Sequence, residues 1–476
     1  MESRSRRLRA GLLLGATFLA GTLAGPAVHL AGARLGIARL GITRLGITPA
    51  AAAEQSGQAD TYRWLTLFGD VFEKVRRDYV EPVSDKSLVE NALNGMLAGL
   101  DPHSAYMTRR QFHEMEVQTS GQFGGLGIEV TEDSGLIRVI SPIDDTPASK
   151  AGIKAGDIIT AIDGKTVEGV PLSDAVREMR GKVNTPITLT IKRQGIDKPV
   201  IVTLTRQIIH IQVVKDRMEP HDIGYIRLSQ FTEGANAGIR KAIADLKKQG
   251  GGKLRAVILD LRDNPGGLLE QAVAVAGDFI GHGEIVSTRG RHKSDSQRWD
   301  APGDDLIPGV PIVVMINNGS ASSSEIVTGA LQDHRRAVLL GERSFGKGSV
   351  QTVMPLPGGG AMRLTTARYY TPSGRSIQDL GIAPDIRVAE TYEKLAHFGP
   401  AHEWDQLHTI KNVGGTRAAP PRPDLPPIAA SIPHRPPKDF PKFDPKHPTR
   451  TDFQLLQAIK VALAMAEQAH PAVAKE

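Results

Sequence analysis

The sequence predicts a multidomain α+β protein: an N-terminal helical domain, a strand-rich domain inserted after it, and an α/β core. Two observations carry this. At 476 residues the chain exceeds what one compact core fills and calls for about three folded units. Its apolar residues recur at helical spacing from Tyr62 to Met115, switch to short alternating runs across 120–206, and become strand-then-helix repeats from Gly224 onward.

The first element is a leader, residues 1–53. A basic stretch through Arg9 is followed by an apolar run from Leu12 to Ala24 and by small-residue cleavage sites near Ala27 or at Ala51–Ala53. This is the layout of an export signal. Pro26 and His29 cut the run short of the roughly 20 residues a membrane span needs, which leaves membrane association through an uncleaved leader as the alternative. A fivefold-spaced Arg-Leu-Gly-Ile repeat at Arg34, Arg39 and Arg44 matches neither helix nor strand period.

The leader also accounts for the charge. The pI is 9.3, but residues 1–53 hold seven arginines and one acid, so the remainder carries 58 − 7 = 51 basic and 52 − 1 = 51 acidic residues. A formally neutral body gives nucleic-acid binding no electrostatic basis. Cysteine is absent, which excludes a thiol protease, thiolate metal sites and disulfides. No HExxH pattern occurs, so zinc peptidase chemistry has no ligand set.

Residues 54–119 read as the helical domain, broken at Pro82 and at Asp101-Pro102. In the next domain, residues 120–206, strands are expected over 128–131, 137–140, 158–162, 187–191 and 201–205, with a helix over 172–180. The core, residues 207–390, alternates strands at 224–228, 256–261, 312–316 and 337–340 with helices at 236–248, 269–279 and 323–333, the pattern of a buried sheet with crossover helices. Residues 391–476 comprise a proline-rich stretch, Pro420 to Pro448, read as an extended linker, and an amphipathic helix, Phe453 to Met465, expected to pack on another domain.

Three motifs follow core strands, where active sites of α/β sheets collect. In Asn317-Asn318-Gly319-Ser320-Ala321-Ser322-Ser323-Ser324-Glu325 a serine stands on a strand-to-helix turn with its hydroxyl exposed as a nucleophile, although Ser322 to Glu325 equally satisfies a capping box. In Phe345-Gly346-Lys347-Gly348-Ser349-Val350-Gln351 a buried lysine can serve as a base once its pKa of about 10.4 falls toward 7, with Gln351 orienting the amine; in isolation Lys347 also fits a solvated turn. Asn264-Pro265-Gly266-Gly267 offers unencumbered amides for an oxyanion hole, or simply a turn. A serine–histidine arrangement through His334 or His282 is the competing hydrolase, and His334 lies a full helix from Ser322. A non-catalytic scaffold is the third reading.

Together with Pro-His-Ser-Ala-Tyr at 102–106 and Ala-Arg-Tyr-Tyr-Thr-Pro-Ser-Gly-Arg-Ser-Ile-Gln at 367–378, these motifs resemble, in order from Tyr62 to Val388, the carboxy-terminal processing proteases of peptidase family S41. The resemblance implies a ClpP/crotonase-like protease core and a serine endopeptidase without metal or cofactor. It places the nucleophile at Ser322, the base at Lys347, the orienting residue at Gln351 and the oxyanion donors at Gly267 and Ser323. Adjacent Ser323 and Ser324 depart from the family's usual serine–alanine alternation.

Residues 120–206 resemble a PDZ β-barrel domain. Gly125, Leu126, Gly127 and Ile128 would hold a peptide's terminal carboxylate while the peptide adds a strand, and Arg180 is the candidate sensor of the bound tail. The implied partners are protein substrates with exposed C-terminal tails, with an adaptor protein and a homo-oligomer as further expectations. The leader and the resemblance together imply an exported, periplasmic enzyme.

Overall fold

Three apolar strands, Ala256–Asp260, Ile312–Ile316 and Val338–Gly341, are buried along their whole length and lie inside the core sheet. Its six strands run in the order Val214–Glu219, Ile223–Leu228, Ala256–Asp260, Ile312–Ile316, Val338–Gly341 and Ile386–Arg387. The first pair is antiparallel and the rest are parallel, with crossover helices joining the second strand through the fifth. In this computed structural model the described residues are 49–133, 135–392, 401–413, 421–444 and 446–469, with side chains from residue 60. The leader through residue 48, with its arginine repeat, lies outside them. Among the described residues no helix is long and apolar enough to cross a membrane.

Helices Ala235–Gln249, Leu269–Ile280 and Ser323–Asp333 cover one face of this sheet through Ile239, Phe279, Val327 and Leu331. The other face is closed from far along the chain. Helix Phe453–Ala469 seats Leu455, Ala458, Val461 and Ala462 against Ile258, Val313, Met315 and Leu340. The domain on which it packs is the core, directly on its sheet. The proline-rich stretch is also seated on the core: Arg422 donates to Asp385 at 2.7 Å and to the Ala337 carbonyl at 2.9 Å, and Ile432 is buried.

One buried arginine fixes that last helix. Arg262 donates to Asp260, Asp452 and Gln454 within 2.6–3.1 Å. Arg262→Ala leaves the buried Asp260 carboxylate and the half-buried Asp452 carboxylate without their main partner, and urea unfolding should show a loss of about 3–5 kcal/mol. A loss below about 1 kcal/mol would make this network incidental.

A second sheet pairs Ala105–Met107, Ala361–Tyr370, Glu284–Gly290 and Gln297–Asp300, with Ser349–Pro355 also on Ala361–Tyr370. Residues 105–107 are thus a strand of the core, although the sequence reading placed them in a helical domain. The region 54–119 divides further: the chain separates into two units at Val80/Glu81, and the unit ending at Val80 contains helix Pro49–Asp78, whose Trp64, Leu65, Phe68 and Val71 are exposed. The strand-rich domain forms an open ladder in the order Ile128–Asp133, Leu136–Pro142, Ile158–Ile162, Pro186–Lys192 and Val200–Thr205, with Lys165–Thr166 paired to Ile158–Ile162. Helix Leu172–Met179 packs on it through Ala175 and Met179.

Candidate active site

The candidate residues come together beyond the C-terminal ends of the parallel strands. After Ile312–Ile316 the chain turns through Asn317–Ala321 into helix Ser323–Asp333, and Ser322 at the junction has φ +53° and ψ −112°. For a residue with a Cβ this backbone stores about 1–3 kcal/mol of strain, held by the surrounding contacts. The capping-box pattern is present, with the Ser322 N–H donating to Glu325 Oε2 at 2.8 Å. The Glu325 N–H, however, bonds the Ser322 carbonyl oxygen, and the Ser322 hydroxyl makes no capping hydrogen bond.

The neighbouring hydroxyls are committed. Ser320 Oγ donates to the Leu261 carbonyl at 2.8 Å, Ser323 Oγ to the Gly267 carbonyl at 2.9 Å and Ser324 Oγ to the Asn264 carbonyl at 2.8 Å. The last two bonds staple the elbow to the 264–268 turn, and the first ties it to the end of the strand before that turn. Gly266 makes the approach possible, since a Cβ there would stand 2.9 Å from the Ser323 nitrogen. At Gly267, φ +147°, a Cβ would lie 2.2 Å from the Phe231 carbonyl oxygen, so the turn admits no side chain. Ser323 is the first helical residue, whose amide has no intrahelical acceptor by position. The Ser323 and Gly267 amides are the pair expected to face an oxyanion.

Lys347 follows strand Val338–Gly341 on a loop bound to the elbow by the Phe345 N–H, which donates to the Ser320 carbonyl at 2.9 Å. Burial pushes the Lys347 amine below the usual lysine range, and the Arg363 charge adds to this, while Glu403, Glu325 and Asp101 oppose it. Gln351, on strand Ser349–Pro355, spends its Nε2 on Ser349 Oγ at 2.9 Å and Thr365 Oγ1 at 3.2 Å, which leaves its carbonyl oxygen to accept from an amine. Thr365 Oγ1 in turn donates to Asp101 Oδ1 at 3.0 Å. Burial pushes the Asp101 carboxyl up, but its hydrogen bonds from Ser104, His103 and Thr365 outweigh that and hold it below the usual range.

Sequence reasoning gives three carboxylates of this site no part in it, and Glu325 enters there only as the end of a capping box. Glu325 is fully buried and accepts four hydrogen bonds from the elbow and the lysine loop; burial pushes its carboxyl up to about 7 against those donors. Asp101, just before the 102–106 motif that the sequence marked without assigning it a role, holds the Thr365 hydroxyl that in turn accepts from Gln351. Glu403, also fully buried, takes His103 Nε2 at 2.9 Å and Gln378 Nε2 at 3.1 Å, and no sequence signal pointed to it. His334 sits at the far end of the helix that starts beside Ser322, with Nε2 2.7 Å from the Glu284 carbonyl oxygen.

Family models match in the same order along the chain: an N-terminal domain described for the activating protease CtpB over residues 46–111, a PDZ domain over 124–204, and peptidase family S41 over 222–388. A carboxy-terminal-processing protease of Bartonella bacilliformis is 56% identical over 342 residues, 72% of this chain and 79% of that one. The chain belongs to the carboxy-terminal processing proteases of peptidase family S41. The carboxy-terminal processing protease CtpA of Bacillus subtilis is 35% identical over 344 residues, covering 72% of this chain and 73% of its own. Among solved structures, the photosystem II D1 C-terminal processing protease is 30% identical, with a TM-score of 0.41, over 68% of this chain and 92% of that one.

As a member of this serine peptidase family the chain carries its PDZ domain between the 102–106 motif and the core. Among the described residues Ile128–Asp133 stands at a sheet edge, paired with Leu136–Pro142 on one side, the arrangement to which a peptide strand can add. Gly125 pairs with Gln207 and Leu126 is buried in the domain's own core. Gly127 has φ +75°, and its carbonyl accepts the Ile143 N–H at 2.8 Å. The Arg180 guanidinium stacks on the Phe123 ring at 4.2 Å, and the next residue, Gly181, donates to the Gly124 carbonyl at 3.0 Å. Of the five residues named for tail capture, Arg180 alone lines the groove of about 1250 Å³ between helix Arg109–Ser120 and the PDZ helix.

Proposed function

We propose that this protease is an exported serine endopeptidase with a Ser322–Lys347 dyad, acting on proteins whose C-terminal tails its PDZ domain captures. The observation that carries the reading is that an uncommitted hydroxyl on a strained elbow and a lysine whose pKa burial lowers stand on two loops joined through Glu325 Oε2. Neutral Lys347 takes the Ser322 proton as Oγ attacks the scissile carbonyl, and the oxyanion accepts from the Gly267 and Ser323 amides. Lys347 then returns the proton to the leaving amine, and water, activated by the same amine, releases the acyl group. Gln351 orients the amine through its carbonyl oxygen. The experiment is cleavage of unfolded casein by the wild type and by Lys347→Ala.

The finer fold assignments, a ClpP/crotonase-like core and a PDZ β-barrel, belong to the same proposal, as do the periplasmic location, an adaptor and a homo-oligomer. Tail capture gates the site when the tail prefers one placement of the PDZ domain over another, and the contact of Arg180 with Phe123 next to the glycine-rich strand supports Arg180 as the sensor. A peptide with a free, small apolar terminus should be cut about 10-fold faster than its amidated twin. Deleting residues 120–206 across a short linker should erase that difference. Equal cleavage of both peptides by both proteins would remove selection and gating from this reading.

A further inference from the structure

All four hydrogen bonds to the Glu325 carboxylate come from the two loops that present the candidate nucleophile and base. Oε2 alone accepts the Ser322 N–H at 2.8 Å and the Lys347 N–H at 2.9 Å. Oε1 accepts the Ser344 hydroxyl at 2.5 Å and the Gly346 N–H at 2.7 Å. One atom thus bridges the backbone of the nucleophile to the backbone of the base, and neither amide can shift without stretching a charge-assisted bond.

We propose that Glu325 is a positioning residue for the peptidase reaction, its Oε2 setting the separation of Ser322 from Lys347 across which the proton passes. The inference rests on the Ser–Lys reading given above. Only an acceptor-only group satisfies four convergent donors, so glutamine, which turns an NH2 toward one pair, is not a substitute. An ordinary capping box needs none of this: there the glutamate is solvated and reaches back to a single amide. Here the group is enclosed and three of its four donors lie 19 to 22 residues downstream.

The test compares full-length wild type, Glu325→Gln, Lys347→Ala and the double variant on one peptide, with thermal unfolding to confirm the folded fraction. Glu325→Gln should lower kcat about 100-fold while KM stays within about 2-fold, because the substrate contacts are untouched and only the reacting pair is displaced. In the Lys347→Ala background the same substitution should change the residual rate by less than about 2-fold, since there is no longer a base to place. A kcat within about 3-fold of wild type in folded Glu325→Gln overturns the proposal, as does an equal factor with and without Lys347, which is what a purely structural role gives. Should Glu325→Gln not fold, Glu325→Asp keeps the charge but falls one methylene short of both loops. Its kcat should drop about 10-fold, and wild-type kcat in that variant overturns the proposal equally. Full activity of Lys347→Ala alone instead removes the dyad, a result distinct from either.

Discussion

Ser322→Ala is expected to lose at least about 10⁴-fold of the cleavage rate per folded molecule, the scale seen when a nucleophilic serine is removed. Ser320→Ala and Ser324→Ala should retain it. The contrast follows from hydrogen bonding: the hydroxyls of Ser320 and Ser324 are buried and donate to the Leu261 and Asn264 carbonyls, while that of Ser322 makes no capping bond on a strained backbone. Those two substitutions should appear as stability, about 1–3 kcal/mol each from stranded buried partners, and not as lost chemistry. Peptide cleavage corrected for folded fraction separates the two effects. An inactive Ser324→Ala beside an active Ser322→Ala would move the nucleophile.

Lys347→Ala should cost about 10³-fold, and Lys347→Arg as much, because a guanidinium stays protonated and cannot accept the serine proton. The pH dependence has a definite sign. A base works only when deprotonated, so the rate rises with pH, and the lowered pKa of Lys347 moves that rise below the usual lysine range. Burial drives the shift and Arg363 assists it, so Arg363→Met should carry the rise to higher pH. The Glu403, Glu325 and Asp101 carboxylates act in the opposite sense. Chelators should leave the rate unchanged. A rate that falls as the amine deprotonates, or one that EDTA abolishes and zinc restores, would end the dyad mechanism.

The core sheet was legible because its strands are apolar and its helices periodic: Ile312–Ile316 and Ser323–Asp333 stand where the pattern puts them. The second sheet was not. Its central strand, Ala361–Tyr370, pairs with three residues some 260 positions earlier, Ala105 opposite Arg363, and a three-residue strand has no period to read. Ser322 and Lys347 were legible as motifs, each with an innocuous alternative. Glu325 was legible only as the end of a capping box, since its other donors arrive from Ser344, Gly346 and Lys347 after a further strand. Glu403 required the fold itself, because its partners His103 and Gln378 are assembled from distant parts of the chain.

The helix Phe453–Ala469 covers one face of the core sheet and follows every strand of that sheet in the chain. A ribosome that has passed residue 388 has made every strand of the core sheet, yet one face, with Ile258, Val313 and Leu340, is still uncovered, and Arg262 still lacks Asp452 and Gln454. Arg262 stands two residues before the Asn264–Gly267 turn that would hold the oxyanion. A chain made only that far lacks both the cover of this face and the bonds that hold Arg262 beside the turn.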